Sequence, residues 1–202
     1  VRQGLIALNG EAGFEAEILR GGFHFFFPLQ YRVHSLPLVT ISQGTIGYVF
    51  ARDGRELSPT QALASNAETA QFQNVREFLQ KGGQKGPQRT ILREGTYAIN
   101  LAQFVVITQE RIFALNLDEA EISIFEQMAQ TIEDRKGFSP IVIKDTEDQL
   151  GVVTVHDGPS LDTNELIAPA VGDEAKDIET YHNNFQDPEK FLKAGGRRGR
   201  QL

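Results

Sequence analysis

The chain has 202 residues, 40% of them hydrophobic and 9% aromatic, which is ordinary for one or two folded domains and argues against disorder. A net charge of -7 with a pI near 5.2 argues against nucleic acid as the main partner, because such a surface lacks a phosphate-neutralising excess of Lys and Arg. The absence of cysteine excludes disulfides and thiolate metal sites, and no apolar run is long enough to cross a bilayer as a helix.

In residues 1–43, short apolar runs ("GLIAL", "FEAEIL", "GGFHFFFPL", "YRVHSLPLVTI") alternate with Gly and Pro, which predicts short strands and turns. "TIGYVFARDG" reads as a strand ending in a turn at Asp53 and Gly54. A helix is expected from Glu68 to Lys81, with Phe72, Val75 and Leu79 on one face, Phe78 beside them, and Gly82 and Gly83 as the stop. Gly95 opens "EGTYAINLAQFVVIT", which reads as a strand pair. Ile122, Phe125, Met128, Ala129 and Ile132 then recur at helical spacing, and Gly137 stops that helix. "PIVI" and a Gly-Val-Val strand lead to a second Asp-Gly turn at Asp157 and Gly158. Asp187 and Pro188 open a last helix, closed by Gly195 and Gly196. The expected class is α+β, with antiparallel sheet backed by short helices.

The chain repeats itself. Ile46–Leu57 ("IGYVFARDGREL") matches Leu150–Leu161 ("LGVVTVHDGPSL") at a constant offset of 104, and Phe72–Gln88 matches Phe185–Gln201 at an offset of 113. The offset grows through an insertion between Ala168 and Phe185, where "GDEAKDIET" (Gly172 to Thr180) reads as a solvated loop. "ILRGG" (Ile18 to Gly22) also matches "ILREG" (Ile91 to Gly95), and "FHFFFPLQYRV" parallels "TYAINLAQFVV". Three stretches follow: residues 1–43 as the strand-rich tail of a first unit, 44–137 as a whole unit, and 138–202 as the front of another. With Val1 at the start and the repeated phrase just ending at Leu202, an excised piece is expected.

The pattern carried by Gly47 to Leu57, Gly83 to Asn100 and Gly151 to Leu202 resembles the stomatin/prohibitin/flotillin (SPFH, or band-seven) family. The most specific phrases are "HDGPSL" and "NNFQDPEKFLKAGGRRGRQ", and the likeness is closest to bacterial flotillin-like members. That resemblance implies a non-enzymatic, membrane-associated scaffold that self-associates in the full-length protein and organises a membrane patch or encloses membrane proteins. Its partners would be a lipid bilayer surface and membrane proteins, with no nucleic acid, small-molecule substrate or cofactor, and the cytoplasmic side is expected. An adaptor of a membrane protease is the alternative within the same class.

Four candidate features are testable. Phe23, Phe25 and Phe27 would share one face of a strand, normally core, while Phe26 shares the other with His24 and could dip into lipid; all four are candidates for membrane contact. "GGQKGPQ" and "GGRRGRQ" follow helices and do not match a phosphate loop, so their glycines read as helix stops and tight turns. Arg197, Arg198 and Arg200 could meet an anion or lipid headgroup. His156, Asp157 and His182 could supply metal ligands for a hydrolase, although His156 is Arg52 in the sister copy. The turn and helix-stop signature comprises Asp53, Gly54, Gly82, Gly83, Gly95, Asp157, Gly158, Gly195 and Gly196.

Overall fold

A computed structural model describes residues 5–59, 61–67, 70–144 and 150–201. Its elements run β1 (Ile6–Ala7), β2 (Phe14–Glu15), β3 (Val39–Ile41), β4 (Gly47–Ala51), α1 (Val75–Gln80), β5 (Gly86–Leu92), β6 (Gly95–Tyr97), β7 (Phe104–Ile107), β8 (Ile112–Phe113), α2 (Glu119–Asp134), β9 (Thr154–Val155), α3 (Pro188–Lys193) and β10 (Gly199–Arg200). The architecture is mixed α and β, with largely antiparallel sheets and few helices, compatible with the α+β class.

The centre is a four-stranded antiparallel sheet in the order β5-β4-β7-β8. Alternation along β4 explains its place there. Val49 and Ala51 point into one core with Phe72, Val75, Phe78, Phe104 and Val106. Tyr48 and Phe50 point the other way, against Val105, Ile107, Phe125 and Phe138. All four β7 residues are therefore buried, since α1 covers one face of the sheet and α2 the other. Edge-on ring packing knits both layers, with Phe104 5.2 Å from Phe72 and 5.0 Å from Phe78, and Phe50 5.1 Å from Phe125. Each such buried ring contributes about 1.5–3 kcal/mol.

The helix expected from Glu68 is shorter than its apolar spacing suggests. Gln71 and Phe72 have φ of 52° and 62°, a left-handed turn that no α-helix can contain, so α1 starts only after Asn74, whose side chain accepts from the Glu77 N–H. Residues 68 and 69 lie outside the described residues. Phe72 still reaches the core, from the turn. At the other end Gly82 takes φ 83°, the left-handed helix stop. The α2 stripe is a helix as expected, with Phe125 buried and Met128, Ala129 and Ile132 packed around it. Its left-handed residue is Lys136 (φ 54°), one before the expected Gly137.

Two strand expectations also change. "EGTYAINLAQFVVIT" yields β6 and β7, but they belong to different sheets, with β6 on β3 and β7 on β4, because a turn at Asn100 to Gln103 redirects the chain. Residues 141–144 are exposed and outside any strand, and the expected Gly-Val-Val strand is displaced: β9 is Thr154–Val155, just beyond Val153, whose carbonyl accepts from Gln201 N–H at 3.1 Å. A strand needs a neighbour for its N–H and C=O groups, and among the described residues β9 has one on a single side, β10.

Candidate functional site

The turn and helix-stop residues of the two matched segments take the same geometry. In the first, Phe50 and Ala51 stand opposite Pro87 and Gly86; in the second, Thr154 and Val155 stand opposite Arg200 and Gly199, at the same offsets as in the sequence. Asn74 and Asp187 cap their helices with matching dihedrals (φ -124°, ψ 94° and φ -118°, ψ 94°), each after a left-handed Phe, Phe72 or Phe185. Gly82 and Gly195 close both helices at φ 83° and 91°. The next glycine, Gly83 or Gly196, lies against the ring of Phe78 or Phe191, where a Cβ has no room. Its N–H bonds to the carbonyl of that Phe at 2.8 and 2.9 Å. Gln88 and Gln201 each donate their side-chain amide to two backbone carbonyls of the preceding turn. Gly95 opens β6.

A third, partial occurrence lies at the N-terminal end. Ala7 pairs in parallel with Glu15 as Ala64 does with Gln88 and Ala168 with Gln201. The turn Gln30 N–H and Tyr31 N–H to Phe27 O repeats as Gln103 N–H and Phe104 N–H to Asn100 O.

The aspartates of the Asp-Gly turns join these segments. Asp53 accepts from the N–H groups of Leu5 (2.9 Å) and Ile6 (3.2 Å), and its other oxygen from Gly54 (2.8 Å). Asp157 accepts from Ala62 N–H at 3.0 Å, and Ala62 stands two residues before Ala64 as Leu5 stands two before Ala7. One joint is thus used twice, each time tying an Asp-Gly turn to the strand start of the segment before it. At the second joint, Arg89 adds charge: its Nη2 lies 2.6 Å from Asp157 Oδ2 and its Nη1 2.5 Å from Glu189 Oε1. The Arg89 side chain is 5% exposed and that of Asp157 11%. Burial pushes the Asp157 carboxyl up, yet the Ala62 N–H and the Arg89 guanidinium outweigh it and hold the group below the usual carboxylate range. At the first joint the helix position of Glu189 is held by Arg76, which bonds Leu8 O and Glu17, while Ala16 stands at the position of Arg89.

Neither Arg89 nor its partnership with Asp157 was anticipated. The available signal was a charged residue in "PQRTIL", a stretch that the structure forms into β5. Arg52 is a second such case: buried at one end of β4, it pairs with Glu121 at 2.8 Å and donates to Leu101 O, Ala102 O and Leu115 O, tying α2 to the sheet.

Of the three metal-ligand candidates His156 is exposed, while His182 and Asp157 are engaged with other partners. His182 is buried, its Nδ1 accepting from Phe185 N–H and its Nε2 2.7 Å from Val171 O. Asp157 is spent on Arg89 and Ala62, and among the described residues no group of three His, Cys, Asp or Glu side chains could hold a metal ion. Arg197 is paired with Asp162 (2.5 Å) and Glu165 (2.7 Å), and Arg198 donates to Ser160. "GDEAKDIET" is largely exposed, as expected of a solvated loop.

The phenylalanines reverse the expected faces. Residues 23–27 are outside any strand; Phe23 is 99% and Phe25 98% exposed, and Phe27 is exposed too. Phe26 is the most covered of the four, at 41%, with its ring 6.1 Å from Tyr31 and 6.2 Å from His24. In the matched turn the equivalents of Phe23 and Phe25 are the exposed Thr96 and half-buried Ala98, whereas that of Phe26 is the buried Ile99. Phe23 therefore stands at an outward position of the repeat and Phe25 at one that the whole unit half covers. Among the described residues no helix is long and apolar enough to cross a membrane. No family model, curated protein or solved structure matches this chain.

Proposed function

We propose that the chain is a membrane-associated, non-enzymatic scaffold built of tandem SPFH-type units, the tail of one in residues 1–43, a whole one in 44–137 and the front of another in 138–202. The observation that carries the reading is the pair Phe23 and Phe25, both almost wholly exposed, with the counterpart of Phe23, Thr96, exposed as well. Large apolar side chains clustered on a surface mark an interaction site. Inserting two such rings into lipid supplies about 3–6 kcal/mol, a weak anchor for one chain and a firm one for an array of linked chains. The recurring Asp-Gly joint suits an extended array, because each unit grips the one before it. The adaptor reading has no observation of its own. The hydrolase reading is disfavoured by the partners of His182 and Asp157.

Co-sedimentation with phosphatidylcholine vesicles tests the proposal. An acidic chain gains little from anionic lipid, so binding is expected to be weak, to survive high salt, and to be lost in Phe23→Ser/Phe25→Ser with unchanged thermal melting. Equal binding by the double variant and the parent chain would remove the membrane reading.

A further inference from the structure

Three places in this chain put an Asn or Asp directly before Gly: Asn9-Gly10, Asp53-Gly54 and Asp157-Gly158. A glycine has no Cβ to shield its N–H, so its nitrogen can reach the side-chain carbonyl carbon of the residue before it. At two of the three the structure holds that side chain fast. Asp53 accepts from the N–H groups of Leu5, Ile6 and Gly54, and Asp157 from Ala62 N–H and the Arg89 guanidinium. Each carboxylate would have to shed those donors and gain a proton before its carbon could be attacked.

Asn9 differs. It is exposed in the loop from β1 to β2, and among the described residues neither its side-chain amide nor the Gly10 N–H has a hydrogen-bond partner. Gly10 turns through φ 81° with open space where a Cβ would stand. The sister position supplies the contrast. Asn66 stands two residues after Ala64 as Asn9 stands two after Ala7, and it too is exposed. There the next residue is Ala67, packed against the core, and the Asn66 side chain accepts from the Thr90 hydroxyl.

We infer that Asn9 is a site of spontaneous deamidation, with water as its only co-reactant. The Gly10 nitrogen bonds to the Asn9 side-chain carbonyl carbon, and the bond from that carbon to the amide nitrogen breaks. The Gly10 proton goes with the amide nitrogen, which leaves as ammonia, and a succinimide ring closes. Water then opens the ring at one carbonyl or the other. One opening leaves aspartate at position 9; the other leaves isoaspartate, with the main chain running through the former side chain. No oxidant or reductant is needed. Either product places a second carboxylate beside Glu11, whose own carboxylate receives Leu8 N–H and Asn9 N–H. Like charges there loosen that clamp, and isoaspartate also lengthens the loop whose Leu8 O accepts from Arg76. The modification therefore acts on the first joint. This inference stands apart from the membrane reading.

The test uses the 202-residue chain, aged in its folded state at mildly alkaline pH, digested with trypsin and weighed peptide by peptide. The peptide 3–20 should exchange the mass of an amide for that of an acid and split into aspartate and isoaspartate forms, while the peptide 56–76, which carries Asn66, stays unchanged. Gly10→Ala and, with the backbone untouched, Asn9→Gln should both lose the reaction at this site. In the aged parent chain, amide exchange should quicken at Phe14 N–H, which bonds to Leu5 O, and not at Gly83 N–H. Aged Asn9→Gln should exchange like the fresh chain at both. An unaltered peptide 3–20, conversion of Asn66 at the same rate, reaction undiminished by Gly10→Ala, isoaspartate at Asp53 or Asp157 as abundant as at Asn9, or unchanged exchange at Phe14 in a fully converted chain would overturn the inference.

Discussion

Replacing Asp157 by Ala breaks the second joint at its centre. The carboxylate is nearly buried and receives Ala62 N–H at 3.0 Å and two guanidinium contacts from Arg89, at 3.1 and 2.6 Å. Its loss strands a guanidinium that is only 5% exposed. Removing one partner of a buried ion pair costs about 3–5 kcal/mol. Glu189 still neutralises part of the Arg89 charge, so the low end of that range, about 3 kcal/mol, is expected. Arg89→Met should cost a similar amount, because it leaves Asp157 nearly buried with only the Ala62 and Leu63 N–H groups to stabilise its charge. In the double variant neither charge remains to be stranded, so its cost should be close to that of one single change, giving a coupling of about 2–3 kcal/mol. Native-state hydrogen exchange at Gly196, whose N–H bonds to Phe191 O, reads the local stability even if the C-terminal segment opens before the rest. The joint also carries a pH signature. The Asp157 pKa is depressed on folding, so its contribution is full above the ordinary carboxylate value and falls away as pH drops through the lowered one. The difference between the parent chain and Asp157→Ala should therefore shrink in acid. Additive single-variant costs, or a pH-independent difference, would refute the joint as the reason these segments hold together.

Gly54→Ala should destabilise by about 2 kcal/mol or more, since Gly54 sits at φ 145° and a Cβ there would stand 2.5 Å from Gly83 O; urea unfolding measures it. Gly158→Ala should cost less, because its nearest obstacle is the Leu192 side chain and not backbone. Phe78→Ala should cost about 3–5 kcal/mol by the same assay, as it empties the space shared with Phe72, Phe104 and Gly83. Burial raises the Tyr48 pKa, and its hydroxyl donates to Gly137 O at 2.6 Å, so the stability it supplies should be lost as pH rises past the ordinary tyrosine value; Tyr48→Phe should flatten the alkaline limb of a melting-against-pH curve.

Much of the local geometry was legible because it depends on near neighbours. The caps at Asp187 and Pro188, the stops at Gly82 and Gly195, and the α2 stripe all follow from residues within a turn or two of one another. The errors arose where distant chain decides. Phe72 fits the helical spacing of Val75 and Leu79, yet it reaches the same core from a left-handed turn, and periodicity cannot distinguish the two routes. Gly151 to Val153 read as strand but lack the neighbour that makes β4 one. Phe23 and Phe25 alternate like an inward face, although both are almost wholly exposed. The Arg89–Asp157 pair spans 68 residues, and nothing short-range in "PQRTIL" names its partner. The Asp-Gly signature was visible as turns, while the use of its carboxylates as joints between segments required both segments in place.

The central claim is that one structural unit recurs along this chain with the same strand register, and cysteine pairs across β9 and β10 test it directly. Thr154 stands opposite Arg200, as Phe50 stands opposite Pro87. Directly opposed residues lie about 4.5–5.5 Å apart and can form a disulfide, whereas a shift of two residues opens the gap to about 7–8 Å, beyond its usual reach. Thr154→Cys/Arg200→Cys should oxidise readily to an intrachain disulfide at low protein concentration, and Thr154→Cys/Arg198→Cys should not. Cross-linking of the shifted pair as fast as the opposed pair would contradict the shared register, and with it the repeat.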